Sequence, residues 1–119
     1  MASQMDVKIV STEIGALSNA NRVIAYLPAA GGGITVLGAH AAMAAAATTG
    51  LYLVDMGTAG TSIAGTIASF GGTFAVNTPR AGSLVTAFVD AGHYIGVKED
   101  NIGAANAVTN VSFAYVMGK

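Results

Sequence analysis

The sequence predicts an all-β domain, a single β-sandwich or jelly roll of about eight short antiparallel strands. Three observations lead there. Short runs rich in β-branched and aromatic residues recur along the chain, the breaks between them hold Gly, Pro, Asn or Ser, and no long amphipathic helix interrupts the series. Sixteen glycines suit that many tight turns. A length of 119 residues is enough for one domain with a core and too short for a two-domain enzyme with a separate cofactor module.

In chain order, residues 1–20 read as an extended N-terminal arm, with Ser11, Ser18 and Asn19 set among few large apolar groups, and residues 21–119 as the sandwich. Val7 to Ser11 is strand-like within the arm. Strand runs follow at Arg22 to Leu27, Ile34 to His40, Leu51 to Asp55, Ser62 to Ala68, Thr73 to Val76 and Leu84 to Asp90. The run Ala41 to Ala47 conflicts with its surroundings, because alanine is the best helix former. It allows either a short helix over 40–48 or a small-residue strand and loop. His93 to Lys98 alternates, with Ile95 and Val97 on one side and Tyr94 and Lys98 on the other. Val108 to Val116 places Val111, Phe113 and Tyr115 on one face and Asn110, Ser112 and Ala114 on the other. These last two runs are spaced to pair as a C-terminal hairpin.

Charge narrows the function. Charged residues make up 9 % of the chain, against about 25 % in an average globular protein, and hydrophobic residues make up 53 %. The formal charge of -1 leaves no basic surface for phosphates or anionic lipid, so no nucleic-acid or membrane-surface partner is expected. Disorder is excluded by the same balance. No charged side chain lies between Arg22 and Asp55, and mean hydropathy is +0.61. Pro28, Gly31-Gly32-Gly33, His40 and Thr48-Thr49-Gly50 nevertheless make that stretch a poor spanning helix. The first residues lack the basic and apolar regions of a secretory signal.

Chemical motifs are weak. Gly57-Thr58-Ala59-Gly60-Thr61 lacks the Gly-Lys-Ser/Thr of a phosphate loop, and Gly31-Gly32-Gly33 leads into a strand instead of a helix. Ser83, Asp90 and His93 are near one another in sequence, but no Gly-x-Ser-x-Gly elbow frames a serine. Glu99 and Asp100, followed by Asn101 and Gly103, read as a solvated turn, and the spacing of a calcium-binding helix-loop-helix is absent. With no cysteine and only His40 and His93, neither a catalytic residue nor a metal or cofactor site is expected. His40 reads as a polar tip on an apolar strand. Arg80, in Pro79-Arg80-Ala81-Gly82, reads as an exposed turn cation that sets register at an interface or guards an edge.

Val89-Asp90-Ala91-Gly92-His93-Tyr94-Ile95-Gly96-Val97 and Asn106-Ala107-Val108-Thr109-Asn110-Val111-Ser112-Phe113-Ala114-Tyr115-Val116 resemble the turn-and-strand segment and the final alternating strand of small virion proteins of tailed bacteriophages. The resemblance is to head-decoration (cement) proteins with a β-sandwich or jelly-roll fold. His93 stands where Asp is commonest. Gly33-Ile34-Thr35-Val36-Leu37 through Leu51-Tyr52-Leu53-Val54 is similar to the early strands, so the likeness runs from Gly33 to Gly118. It implies a homo-oligomer, commonly a trimer, seated on the major capsid protein at the virion exterior after assembly in the host cytoplasm.

The reading that follows is a non-enzymatic capsid decoration protein. Its near-neutral exterior suits contact with neighbours, whose interface cores are depleted in charge. Met5, Val7, Ile9 and Val10 are the candidate capsid contacts, as an apolar segment able to add a strand to a capsid edge. The alternative is a tail- or fibre-associated domain that binds a host receptor, which an exposed aromatic cluster would favour. An enzyme with a jelly-roll cavity would need a metal triad that the sequence does not offer.

Overall fold

Alternating side chains drive most of the expected runs into strands close to their predicted limits. The computed structural model describes residues 6–14, 21–45, 47–48, 50–100 and 108–118. Its elements are β1 (Lys8–Ile14), β2 (Asn21–Tyr26), a 3-10 turn (Ala29–Gly31), β3 (Ile34–Met43), β4 (Ala47–Thr48), β5 (Gly50–Asp55), β6 (Gly65–Ser69), β7 (Thr73–Phe74), β8 (Arg80–Ala81), β9 (Ser83–Leu84), β10 (Phe88–Val89), β11 (Tyr94–Asp100) and β12 (Thr109–Met117). No helix among the described residues is long and apolar enough to cross a membrane.

The first sheet has the order β1-β12-β3-β10, with β8 also on β3; the second has the order β2-β11-β5-β6-β9; β4 pairs with β7. The ladders between strands are antiparallel. Along the chain β1, β3, β10 and β12 belong to the first sheet, whereas β2, β5, β6 and β11 belong to the second. This winding is that of a jelly roll.

Two expectations are corrected and one open alternative is decided. His93 to Lys98 and Val108 to Val116 do not form a hairpin, because β11 pairs with β2 and β5 while β12 pairs with β1 and β3. Each strand buries its apolar face against the opposite sheet. Nor does 40–48 contain the short helix, since β3 continues to Met43 with Ala41 opposite Val111 and Ala42 opposite Asn110. Pairing and burial of Ala39 and Ala41 outweigh alanine's helix preference. Ala46 and Thr49 lie outside the described residues. Finally, the arm 1–20 is not detached over 8–14: β1 pairs with β12 from Lys8 to Ile14, and Ile14 is buried in the core. Residues 1–5 and 15–20 lie outside the described set.

The core fills the space between the sheets, with Phe70, Phe74 and Phe113 among its largest buried side chains. On β3 the inward positions are Ile34, Val36, Ala39, Ala41 and Met43. The odd step between Val36 and Ala39 has a specific cause. Ala114 pairs with Gly38 and Tyr115 with Val36, so Leu37 is the extra residue of a β-bulge. Its side chain turns outward.

The run Leu84 to Asp90 likewise divides into β9 on the second sheet and β10 on the first. Just before it the chain passes from β8 on the first sheet to β9 on the second through Gly82, whose amide donates to the Ala39 carbonyl. One flank of the sandwich is thereby closed. At the start of β3, Gly33 (φ +83°) lies against β10, where a Cβ would stand 2.7 Å from the Val89 carbonyl oxygen. Only glycine meets both conditions there.

Candidate functional site

One end of the sandwich is held by its own side chains. His93 Nδ1 lies 2.9 and 3.1 Å from the two carboxylate oxygens of Asp55, and the Gly57 amide donates to Asp55 Oδ1 at 2.8 Å. Backbone bonds join the same segments: Tyr94 N–H to the Gly57 carbonyl, Leu27 N–H to the His93 carbonyl and Gly92 N–H to the Leu27 carbonyl. Tyr26 and Tyr94 stack with ring centroids 4.7 Å apart. His93 is paired with Asp55, thirty-eight residues away, and not with Asp90, its neighbour in sequence. Asp90 is exposed and Ser83 lies on β9, so these two residues have no part in the pair that holds His93. The geometry fastens turns together.

Arg80 is a fastener at the surface. Its Nε donates to the Phe70 carbonyl, its Nη1 donates to the Thr73 carbonyl at 2.9 Å, and its guanidinium carbon lies 5.9 Å from the Phe74 ring centroid. The cation is exposed, as expected, and it also holds the turn between β6 and β7. Glu99 differs from expectation as well: it lies within β11, opposite Leu51, and only 5 % of it is exposed. It follows Ile95 and Val97 on the inward side, and burial pushes its carboxyl up from the usual range. Among the described residues, no three His, Cys, Asp or Glu side chains form a group able to hold a metal ion.

The outer face of the first sheet has a different character. Its two central strands, β3 and β12, contain no Asp, Glu, Lys or Arg. Outward positions carry Asn110, Ser112 and Ala114 on β12, and Gly38, His40 and Ala42 on β3, beside the bulged Leu37 at 44 % exposure. Two hollows lie on this face. One of about 250 Å³ lies between Ile9 and Leu37 over Gly38 and Ala114, and the other of about 180 Å³ lies beside Pro79, Ala42 and Asn110. His40 and Ser112 line both. Sequence patterning gave the faces of β12 correctly, whereas the outward turn of Leu37 depends on a bulge marked only by the adjacent Gly38.

The four contact candidates separate. Val7 is 50 % exposed and Ile9 is 71 % exposed, with Ile9 opposite Ala114 on the outer face. Val10, opposite Phe113, packs against the core. Met5 lies outside the described residues.

No protein-family model and no curated protein matches the chain. Among solved structures, the fold is similar to that of a chain in the cyanophage Pam1 capsid asymmetric unit, with a TM-score of 0.57 and 17 % identity, covering 98 % of this chain and 92 % of that one. The similarity of fold therefore extends over essentially the whole length of both chains.

Proposed function

We propose that this protein is a non-enzymatic structural component of a phage virion, a decoration or cement protein that binds the major capsid protein as a homo-oligomer and stabilises the assembled shell. The observation that carries this reading is the end-to-end likeness to a chain of a phage capsid asymmetric unit. The uncharged outer face of the first sheet supports it, since a flat neighbour approaching there desolvates no formal charge on β3 or β12. Stabilisation of the shell would arise by mass action, because a ligand that binds only the assembled state shifts the equilibrium toward it.

Val7 and Ile9 are the capsid contacts within this reading, as exposed apolar residues at and before the edge strand β1. Val10 supports the core instead. Receptor binding by a tail or fibre domain draws on the exposed Tyr26 ring, but that ring is stacked on Tyr94 within the fastened end.

Capsid shells lacking the chain test the proposal by co-sedimentation and calorimetry. Saturable binding with a raised shell melting temperature is expected, and Ile9→Arg should lower occupancy without unfolding the chain. Absence of binding to the shells would overturn the reading. Deleting residues 1–12 is a poor test, because it removes most of β1.

A further inference from the structure

We propose that the β1 margin of the first sheet takes up an extended segment of the capsid protein as an added strand, in a register that sets an apolar residue beside Ile9 and a Lys or Arg beside Glu13. The inference rests on capsid binding as proposed above and names the kind of element bound. Because β1 is already part of the first sheet, the extended segment comes from the partner.

The margins of the two sheets differ. β8 and β10, which end the first sheet beyond β3, and β9, which ends the second, have two residues each. β2, at the second sheet's other margin, is broken by a register shift, since Ile95 pairs with Ala25 and Gly96 with Val23. Short strands and bulges are devices that keep a sheet from pairing with another chain. β1 has neither: its seven residues pair with β12 in unbroken register from Lys8 to Ile14, and no described strand lies on its other side.

The direction of the β12 hydrogen bonds decides which backbone groups of β1 are free. Gly118 N–H donates to the Gly33 carbonyl and Ala44 N–H donates to the Val108 carbonyl, so at both ends of the β12–β3 ladder the even-numbered residues of β12 and its flanks bond toward β3. Along a strand that direction alternates. Thr109, Val111, Phe113 and Tyr115 therefore bond toward β1, where they face Ile14, Thr12, Val10 and Lys8. Ile9, Ser11 and Glu13 direct their N–H and C=O groups to the open margin, and these make no turn or loop hydrogen bond among the described residues. All three residues are exposed.

Side chains and charge define the occupant. Ile9, Ser11 and Glu13 share the outward side of the sheet, opposite Ala114, Ser112 and Asn110. An added strand sets one residue beside each, at every second position along it. An apolar side chain there covers Ile9, and a cation four positions away meets Glu13. The ion pairs among the described residues are Lys8 with Asp6 and His93 with Asp55, so Glu13 has no counter-ion among them. A second copy of β1 does not match: in one continuous sheet its outward residues would lie beside outward residues, and Ile9, Ser11 and Glu13 include no cation. A partner strand carrying its own Lys or Arg does match.

Amide hydrogen exchange, read residue by residue by fragmentation mass spectrometry, tests this on the free chain and on the chain bound to capsid shells. In the free chain Ile9, Ser11 and Glu13 should exchange faster than Val10 and Thr12, and on the shells they should slow on the order of tenfold or more. Ser11→Pro removes a donor that the β12 ladder does not use, so circular dichroism should show a folded chain whose affinity for shells falls about tenfold. Glu13→Lys, at an exposed position, should lower affinity about threefold or more; should Ser11→Pro not fold, this variant and the exchange pattern decide. Shell-bound chain in which Ile9, Ser11 and Glu13 still exchange as in the free chain, or parent-like binding by Glu13→Lys, would overturn strand addition and leave capsid binding standing. A parent chain that binds no shells overturns both.

Discussion

On the outer side of the second sheet, side chains engage one another: Lys98 Nζ lies 5.8 Å from the Tyr52 ring centroid, Tyr94 stacks on Tyr26, and Met56 occupies the space over Gly96. On the outer side of the first sheet, β3 and β12 present Ala, Ser, Asn, Gly, a bulged Leu and one His. Both sheets bury their inner faces in one core. The difference shows how one jelly roll can cover one outer face with its own side chains and leave the other suited to a neighbour. The second sheet covers itself, whereas the first leaves small, uncharged positions that another flat surface can meet without stripping water from ions.

The largest effect is expected where self-cover is tightest. A Cβ at Gly96 would stand 2.2 Å from Met56 Sδ and 2.8 Å from the Arg22 carbonyl oxygen. Gly96→Val should destabilise the fold on the order of 3 kcal/mol, because backbone as well as side chain must yield. Denaturant unfolding measures this, and a loss within the error of the parent would show that Met56 is not a fixed cover.

A smaller effect, of opposite sign, is expected at Glu99. Its folded-state carboxyl is raised by burial. The folded chain therefore binds the proton more tightly than the unfolded chain, so this group's contribution falls as pH rises from the ordinary carboxyl value through the raised one. Glu99→Gln should raise the melting temperature at pH 7 and flatten the pH dependence across that window. A lower melting temperature at pH 7 would mean that the carboxylate is needed in its charged form.

Much of the fold was legible because alternation is local. Alternation alone puts Val111 with Phe113 on one face and Ile95 with Val97 on one side, and all four are buried. Partner choice was not legible, since alternation fixes faces and not neighbouring strands; hence the false hairpin between β11 and β12. Ala41 and Met43 show tertiary burial deciding between strand and helix where propensity alone left both open. The site was half visible. The charge-free stretch from Arg22 to Asp55 contains β3, but its role as an outer face, the bulge at Leu37 and the Asp55–His93 pair depend on contacts between distant segments.

The claim that the first sheet's outer face, and not the second's, is the contact surface is tested by placing the same charge on each. Ser112→Lys lies on the first outer face, opposite His40, and Ser69→Lys lies on the second, opposite Tyr52. Both should remain folded, with stability changes within about 1 kcal/mol. Co-sedimentation with capsid shells lacking the chain should then show parent-like occupancy for Ser69→Lys and lowered occupancy for Ser112→Lys. Equal occupancy by the two variants would contradict the account.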